Sequence, residues 1–146
     1  MDTERKLAVV RMTYAAVLAE NAKALAAAGA LEATEKARRA EQLSTGKAKA
    51  ERMGVVTPEQ AFTTTAEIFD CASWRLEPEA NGFSAKASRC TLCAMAKRLG
   101  APSPCRLSCL DPLEGMVRGL DPEATFEVRQ TLFEGTECEV RVRRSR

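Results

Sequence analysis

Apolar positions recur at spacings of three and four over the first part of the chain and switch to alternation after residue 70. This change of period separates a helical stretch from a strand-bearing one. Between residues 3 and 28, Leu7, Val10, Tyr14, Val17, Leu18, Leu25 and Ala28 mark one stripe of a long helix, and that stripe is expected to be buried. Gly29 is placed to end it, because glycine adopts the left-handed conformation of a helix terminus without steric cost. Asn21 lies on the same stripe, where an amide can set the register of a helix pair, so a homodimer through this helix is expected. Residues 30–53 are helical by composition, since 15 of the first 50 residues are Ala, but they are rich in charge and expected to be mostly solvated. Ser44-Thr45-Gly46 reads as a break or loop within them. Thr57-Pro58 then has the form of an N-cap with proline at the first helical position, opening a short helix through Ala61, Phe62 and Ala66.

Beyond residue 70, Ala72, Trp74 and Leu76 alternate with polar residues, Pro78 to Gly82 forms a turn, and Phe83, Ala85 and Ala87 alternate in their turn. This is a hairpin with one buried face. A second hairpin closes the chain: Phe126, Val128 and Leu132 lead to a turn at Glu134-Gly135-Thr136, after which Cys138, Val140 and Val142 face the core. Two short helices lie between the hairpins. The first runs from Thr91 to Leu99 and stops at Gly100, and the second opens at Asp111-Pro112-Leu113-Glu114 with Asp111 as its N-cap. The fold class that follows is α+β, a helical N-terminal part followed by an antiparallel β-β-α-α-β-β unit. Residues 1–68 form the helical region, pairing or packing on the sheet, residues 69–146 form the cysteine-rich unit, and the two make one compact domain.

Composition narrows the chemistry more than the fold. The 146 residues contain six cysteines and no histidine, which removes Ser-His-Asp and Cys-His nucleophile arrangements, HExxH zinc sites and imidazole bases from consideration. Twenty-two basic and twenty acidic residues leave a net charge of +2, so no nucleic-acid-binding surface is expected. The arginines at the end, Arg141, Arg143, Arg144 and Arg146, are read as an exposed edge strand running into a charged tail that discourages aggregation. The charged N-terminus and the absence of an uninterrupted apolar run imply no signal peptide and no membrane partner, and a cytoplasmic location is expected. There, cysteines serve as thiols, ligands or redox groups rather than structural disulfides.

The cysteines are clustered. Cys90 and Cys93 are separated by two residues, Cys105 and Cys109 by three, and Cys138 falls on the adjoining strand, whereas Cys71 stands alone and reads as core filling. Cys90 is expected at one helix mouth and Cys109 just before another, where backbone N–H groups favour a thiolate, with Arg89 and Arg106 acting in the same direction. Three readings compete for the clustered five: core thiols, a four-cysteine zinc or iron-sulfur site formed by Cys90, Cys93, Cys105 and Cys109, or a reactive-thiol pocket for a small ligand. The third is preferred, and it requires no cofactor.

Cys90, the helix ending Leu99-Gly100, Cys109 with Asp111, the stretch Gly119-Leu120-Asp121-Pro122, and Thr131-Leu132-Phe133-Glu134-Gly135 followed by Cys138 together resemble the L-2-amino-thiazoline-4-carboxylic acid hydrolase family. The resemblance covers about residues 69 to 143, with a more distant similarity to ligand-binding domains of the 4-vinyl reductase type. It implies hydrolytic opening of a small cyclic amidine to N-carbamoyl-cysteine. For that reaction Cys109 or Cys138 is expected to attack as thiolate, or a cysteine-bound metal to supply hydroxide, with Asp111 or Glu114 moving the proton. Arg89, Arg98 or Arg106 would hold the substrate carboxylate, and Cys90 would line the pocket beside them. The rival expectation is a non-catalytic metal- or ligand-binding module built on the same cysteines.

Overall fold

In the computed structural model, which describes residues 1–144, three helices come first: α1 (Thr3–Ala27), α2 (Leu31–Arg52) and α3 (Pro58–Phe69). Strands β1 (Arg75–Glu79) and β2 (Gly82–Ala87) follow, then α4 (Thr91–Arg98), a wide π-helical turn (Arg106–Leu110) that runs into α5 (Asp111–Leu120), and strands β3 (Thr125–Gln130) and β4 (Cys138–Arg143). The strands form one antiparallel sheet in the order β1-β2-β4-β3. The class is α+β with the expected β-β-α-α-β-β order. No helix among the described residues is long and apolar enough to cross a membrane.

One face of the sheet carries the core. Phe83, Ala85 and Ala87 of β2 pair in register with Val142, Val140 and Cys138 of β4, and all six are buried. The Phe62 ring of α3 meets Trp74 and Phe83 edge-on at 5.2 and 5.6 Å and stacks on Phe126 at 6.1 Å. The other face is a charge ladder in which Lys86 lies 3.0 Å from Glu77 and 3.9 Å from Glu139. At the first hairpin β1 continues through Pro78 to Glu79, which shortens the expected turn to Ala80-Asn81. An edge strand tolerates a proline because its outward N–H has no ladder partner to lose.

The reading of the terminal arginines as an edge strand is overturned, since β4 lies between β2 and β3. Arg141 reaches Glu79 at 3.3 Å, and Arg144 pairs with Glu59 and lies over the Phe83 ring. Arg146 lies outside the described residues.

Three expectations about the helices also change. The stripe on α1 is not its buried face: Val10 is 62% and Val17 55% exposed, Leu7 and Tyr14 are exposed too, and the residues that pack are Ala15, Ala19 and Ala22. Alanine permits α4 to approach closely, with Ala19 against Ala96 and the Lys23 ammonium donating to the Leu99 carbonyl at 2.9 Å. Asn21 is exposed with the stripe, so the face through which pairing was expected is uncovered in the single chain.

Gly46 does not break α2. The Ser44 and Thr45 hydroxyls donate back to the Glu41 carbonyl, and a Cβ built on Gly46 would lie 1.8 Å from the Gly115 carbonyl oxygen. The glycine is there because α2 and α5 cross at backbone distance, with Gly115 and Gly119 facing it. Asp111, finally, is not an N-cap. The helix starts near Cys105, and Pro112, which has no N–H to donate, is accommodated by the wide turn before it, where the Asp111 N–H donates to the Arg106 carbonyl.

Candidate functional site

Beside the close crossing of α2 on α5 lies a cleft walled by α1, α2, α3, the start of α4 and the π turn with the first turns of α5. Its apolar part, a cavity of about 70 Å³, is lined by Tyr14, Leu18, Lys49, Phe69, Cys71, Cys90, Ser108, Cys109 and Met116 among others. A more polar part of about 160 Å³ shares Tyr14, Leu18, Lys49, Ser108 and Pro112 with it and adds Asn21, Thr34, Arg38 and Gln42. Either volume admits several water-sized groups. Tyr14 is held at the rim by its ring stacked 5.0 Å from Phe69. Burial, with Arg52 and Arg38 nearby, lowers the Lys49 ammonium below its ordinary pKa, and burial raises the Tyr14 hydroxyl above its own.

Behind the apolar part lies a small cavity of about 20 Å³ lined by Cys90, Cys93, Cys105, Cys109 and Cys138. Cys90 and Cys109 belong to both linings and so form the wall between them. The two differ sharply in electrostatics. Cys90 is the N-cap of α4, as its position before a helical run predicts, and its sulfur accepts from the Cys93 N–H at 3.5 Å. Hydrogen bonding with the Cys93 thiol, reinforced by the backbone N–H groups of Cys93 and Leu92 and by Arg89, outweighs burial and brings its pKa down to about 6. A thiolate at neutral pH follows.

Cys109 sits inside the π turn instead of at a helix mouth, so no free N–H groups point at its sulfur, and burial pushes its pKa well above the ordinary thiol value. Cys138 is on the core side of β4 as expected, and burial raises its pKa to about 12. Cys71 goes up to about 11 for the same reason, but it faces the cleft and is not merely core filling. Cys93 and Cys105 are buried with their sulfurs 3.4 Å apart. The Cys93 thiol keeps its proton and shares it with both neighbours, which raises its own pKa and lowers that of Cys105.

The alternative ligand set Cys90, Cys93, Cys105 and Cys109 lines this one small cavity, but among the described residues no group of three or more Cys, Asp or Glu is placed to hold a metal ion.

The charged residues singled out from the sequence lie elsewhere. Asp111 and Glu114 are buried at the α2–α5 crossing, each 2% exposed, and the Arg39 guanidinium forks across them at 2.8 Å from Asp111 and 2.7 Å from Glu114. Arg106 approaches Asp111 at 3.4 Å, and Arg118 donates to Glu114 at 3.0 Å and to the Ala124 carbonyl. Asp111 therefore turns away from Cys109, and Arg106 is drawn to the acids rather than the sulfurs. Arg89 pairs with Asp70 at 3.6 Å on the surface. None of Arg89, Arg98 and Arg106 lines the cleft.

Lys49, Arg38 and Gln42 were absent from the candidates because residues 30–53 read as solvated, and Tyr14 because it read as part of the buried stripe of the first helix. One signal pointed to them: Gly46 in one helix and Gly115-x-x-x-Gly119 in another announce a close crossing, and Gln42 and Lys49 are one turn either side of Gly46 on the same face.

A protein-family model described as L-2-amino-thiazoline-4-carboxylic acid hydrolase matches residues 4–142, taking in all three N-terminal helices beyond the stretch on which the resemblance was read. No curated protein and no solved structure matches the chain.

Proposed function

Because the chain belongs to the L-2-amino-thiazoline-4-carboxylic acid hydrolase family, we propose that it opens a small cyclic amidine of the thiazoline type, with Cys90 as the nucleophile. The observation that carries this reading is the Cys90 sulfur: it caps α4, is favoured as thiolate, and faces a cleft whose other end is basic. Cys109 and Cys138, both pushed toward the protonated form, then serve as walls.

The route balances without a cofactor. The Cys90 thiolate attacks the amidine carbon, the bond from that carbon to the ring sulfur breaks, and the freed sulfur takes a proton, leaving an isothiourea on Cys90. Water then adds to the same carbon, its protons pass to the nitrogen and to bulk solvent, and the carbon–Cys90 bond breaks to release an N-carbamoyl-cysteine and regenerate the thiolate. Lys49 is suited to protonate the departing sulfur, since its lowered pKa makes the ammonium a better acid. Arg38, at the polar end, is suited to hold the substrate carboxylate. Substrate is a free small molecule on this reading, with no nucleic-acid or membrane partner, in the cytoplasm.

The test is ring opening of 2-amino-thiazoline-4-carboxylate followed by the appearance of product thiol. Cys90→Ser is expected to lose roughly 100-fold or more in rate, while Cys109→Ser and Cys138→Ser stay within about tenfold of the parent. An undiminished rate in Cys90→Ser overturns the assignment.

A second reading rests on a separate observation: among the described residues no carboxylate lines any of the three cavities. A module that binds a small amidine without turning it over accounts for that. Calorimetric binding of the thiazoline with no product after prolonged incubation would favour it.

A further inference from the structure

C-x-x-C at a helix mouth has a second chemistry. Cys90 and Cys93 occupy the N-cap and third position of α4, and the Cys93 N–H donates to the Cys90 sulfur at 3.5 Å, which sets the two side chains on the same turn. Cys90 lines the cleft opposite Tyr14 of α1 and Lys49 of α2, whereas Cys93 is 5% exposed and lines only the small cavity behind the wall formed by Cys90 and Cys109. Cys105 closes the far side, its sulfur 3.4 Å from that of Cys93. An oxidant entering the cleft therefore meets the helix-capping sulfur of Cys90, with the thiol of Cys93 on the first turn of the same helix in the small cavity behind it.

We propose that Cys90 and Cys93 form a redox-active dithiol that reduces hydroperoxides and closes to a reversible disulfide. The Cys90 sulfur attacks the distal peroxide oxygen, the O–O bond breaks, and the alkoxide or hydroxide that leaves takes a proton from solvent, so that Cys90 becomes a sulfenic acid. The Cys93 sulfur then attacks the Cys90 sulfur, the S–O bond breaks, and the hydroxyl leaves as water with the Cys93 proton. Two thiols are oxidised, one peroxide is reduced to an alcohol or water, and a dithiol reductant reverses the change. On the hydrolase reading, with which this shares Cys90, the closed form has no nucleophile, and ring opening stops until reduction.

The full-length protein is treated with hydrogen peroxide, its free thiols are alkylated, and it is cleaved with trypsin, which cuts after Arg89 and Lys97 and so isolates Cys90 and Cys93 in one peptide. The expected result is that this peptide loses both alkylation sites and is lighter by two hydrogens, and that dithiothreitol restores both sites. In Cys93→Ser the resolving thiol of the same turn is gone, and the sulfenic acid is trapped by dimedone on Cys90. Retention of both alkylation sites in the parent, or a Cys93–Cys105 linkage in place of this one, overturns the proposal. The peptide masses are read without substrate, so failure of ring opening leaves this test standing, and failure of disulfide closure leaves the hydrolase assay standing.

Discussion

Cys90 and Cys109 share a cavity wall, and what separates them is the Cys93 thiol beside Cys90, reinforced by the direction of the nearest backbone N–H groups. At the N-cap of α4 those groups point at sulfur and stabilise its negative charge, while within the π turn they are spent on carbonyls and burial dominates. Alkylation follows from this with a definite sign. A thiol whose pKa is lowered to about 6 is thiolate above that pH, so carboxamidomethylation of Cys90 should climb between about pH 5 and 7 and then level off. An ordinary cysteine would keep climbing past about pH 8. Peptide mapping at each pH checks it, and a Cys90 profile with its midpoint near pH 8 would contradict it. Cys93→Ala removes the largest of the lowering effects and should move the midpoint upward in the same assay.

The close crossing of α2 and α5 is the element on which the cleft depends. Small residues let the two backbones meet, and Arg39, about two turns before Gly46, is thereby brought onto the acids of α5. On intrinsic propensity alone, Gly46→Ala should stabilise an exposed helix by about 1 kcal/mol. Here the new methyl meets the Gly115 carbonyl, so a loss of about 2–3 kcal/mol is expected, seen as a lower urea midpoint with an unchanged slope. Equal or greater stability would mean that the helices separate easily. Arg39→Met tests the other half of the crossing, since it leaves two buried carboxylates to Arg106 and Arg118 alone. A loss of about 2 kcal/mol is expected, less than for a fully buried pair because Arg39 is 39% exposed. The ring-opening rate should survive in the fraction that stays folded, because neither acid faces the cleft; abolished activity in a folded variant would return Asp111 to the mechanism.

For the molecule as a whole, the contrast between α1 and the sheet shows how far a pattern can be read. Val10 and Val17 are more than half exposed, so replacing either with Ser should change stability by less than about 0.5 kcal/mol, and a large fall in Tm would show that this face is covered in solution. Alternation around Phe83 and Val140 identified the buried face of the sheet, since a strand offers only two faces and a single period of two assigns them. The caps at Thr57 and Cys90 and the helix ends at Gly29 and Gly100 were equally legible, because each depends on a residue and its immediate neighbours. α1 defeated the same logic. Its contact face is alanine, which hydrophobic periodicity scarcely registers, and its larger apolar residues point outward. Lys49, Arg38 and Gln42 of the cleft were hidden for a related reason: on a charged helix they look like solvent-facing residues until the partner of Gly46 is known. Local chemistry, read along the chain, was enough for the fold class, the hairpins, the caps at Thr57 and Cys90 and the clustering of thiols, though not for Asp111. Which thiol is ionised, and what faces it, depended on long-range packing, because a pKa responds to burial and to donors brought from distant segments, and no spacing along the sequence encodes those distances.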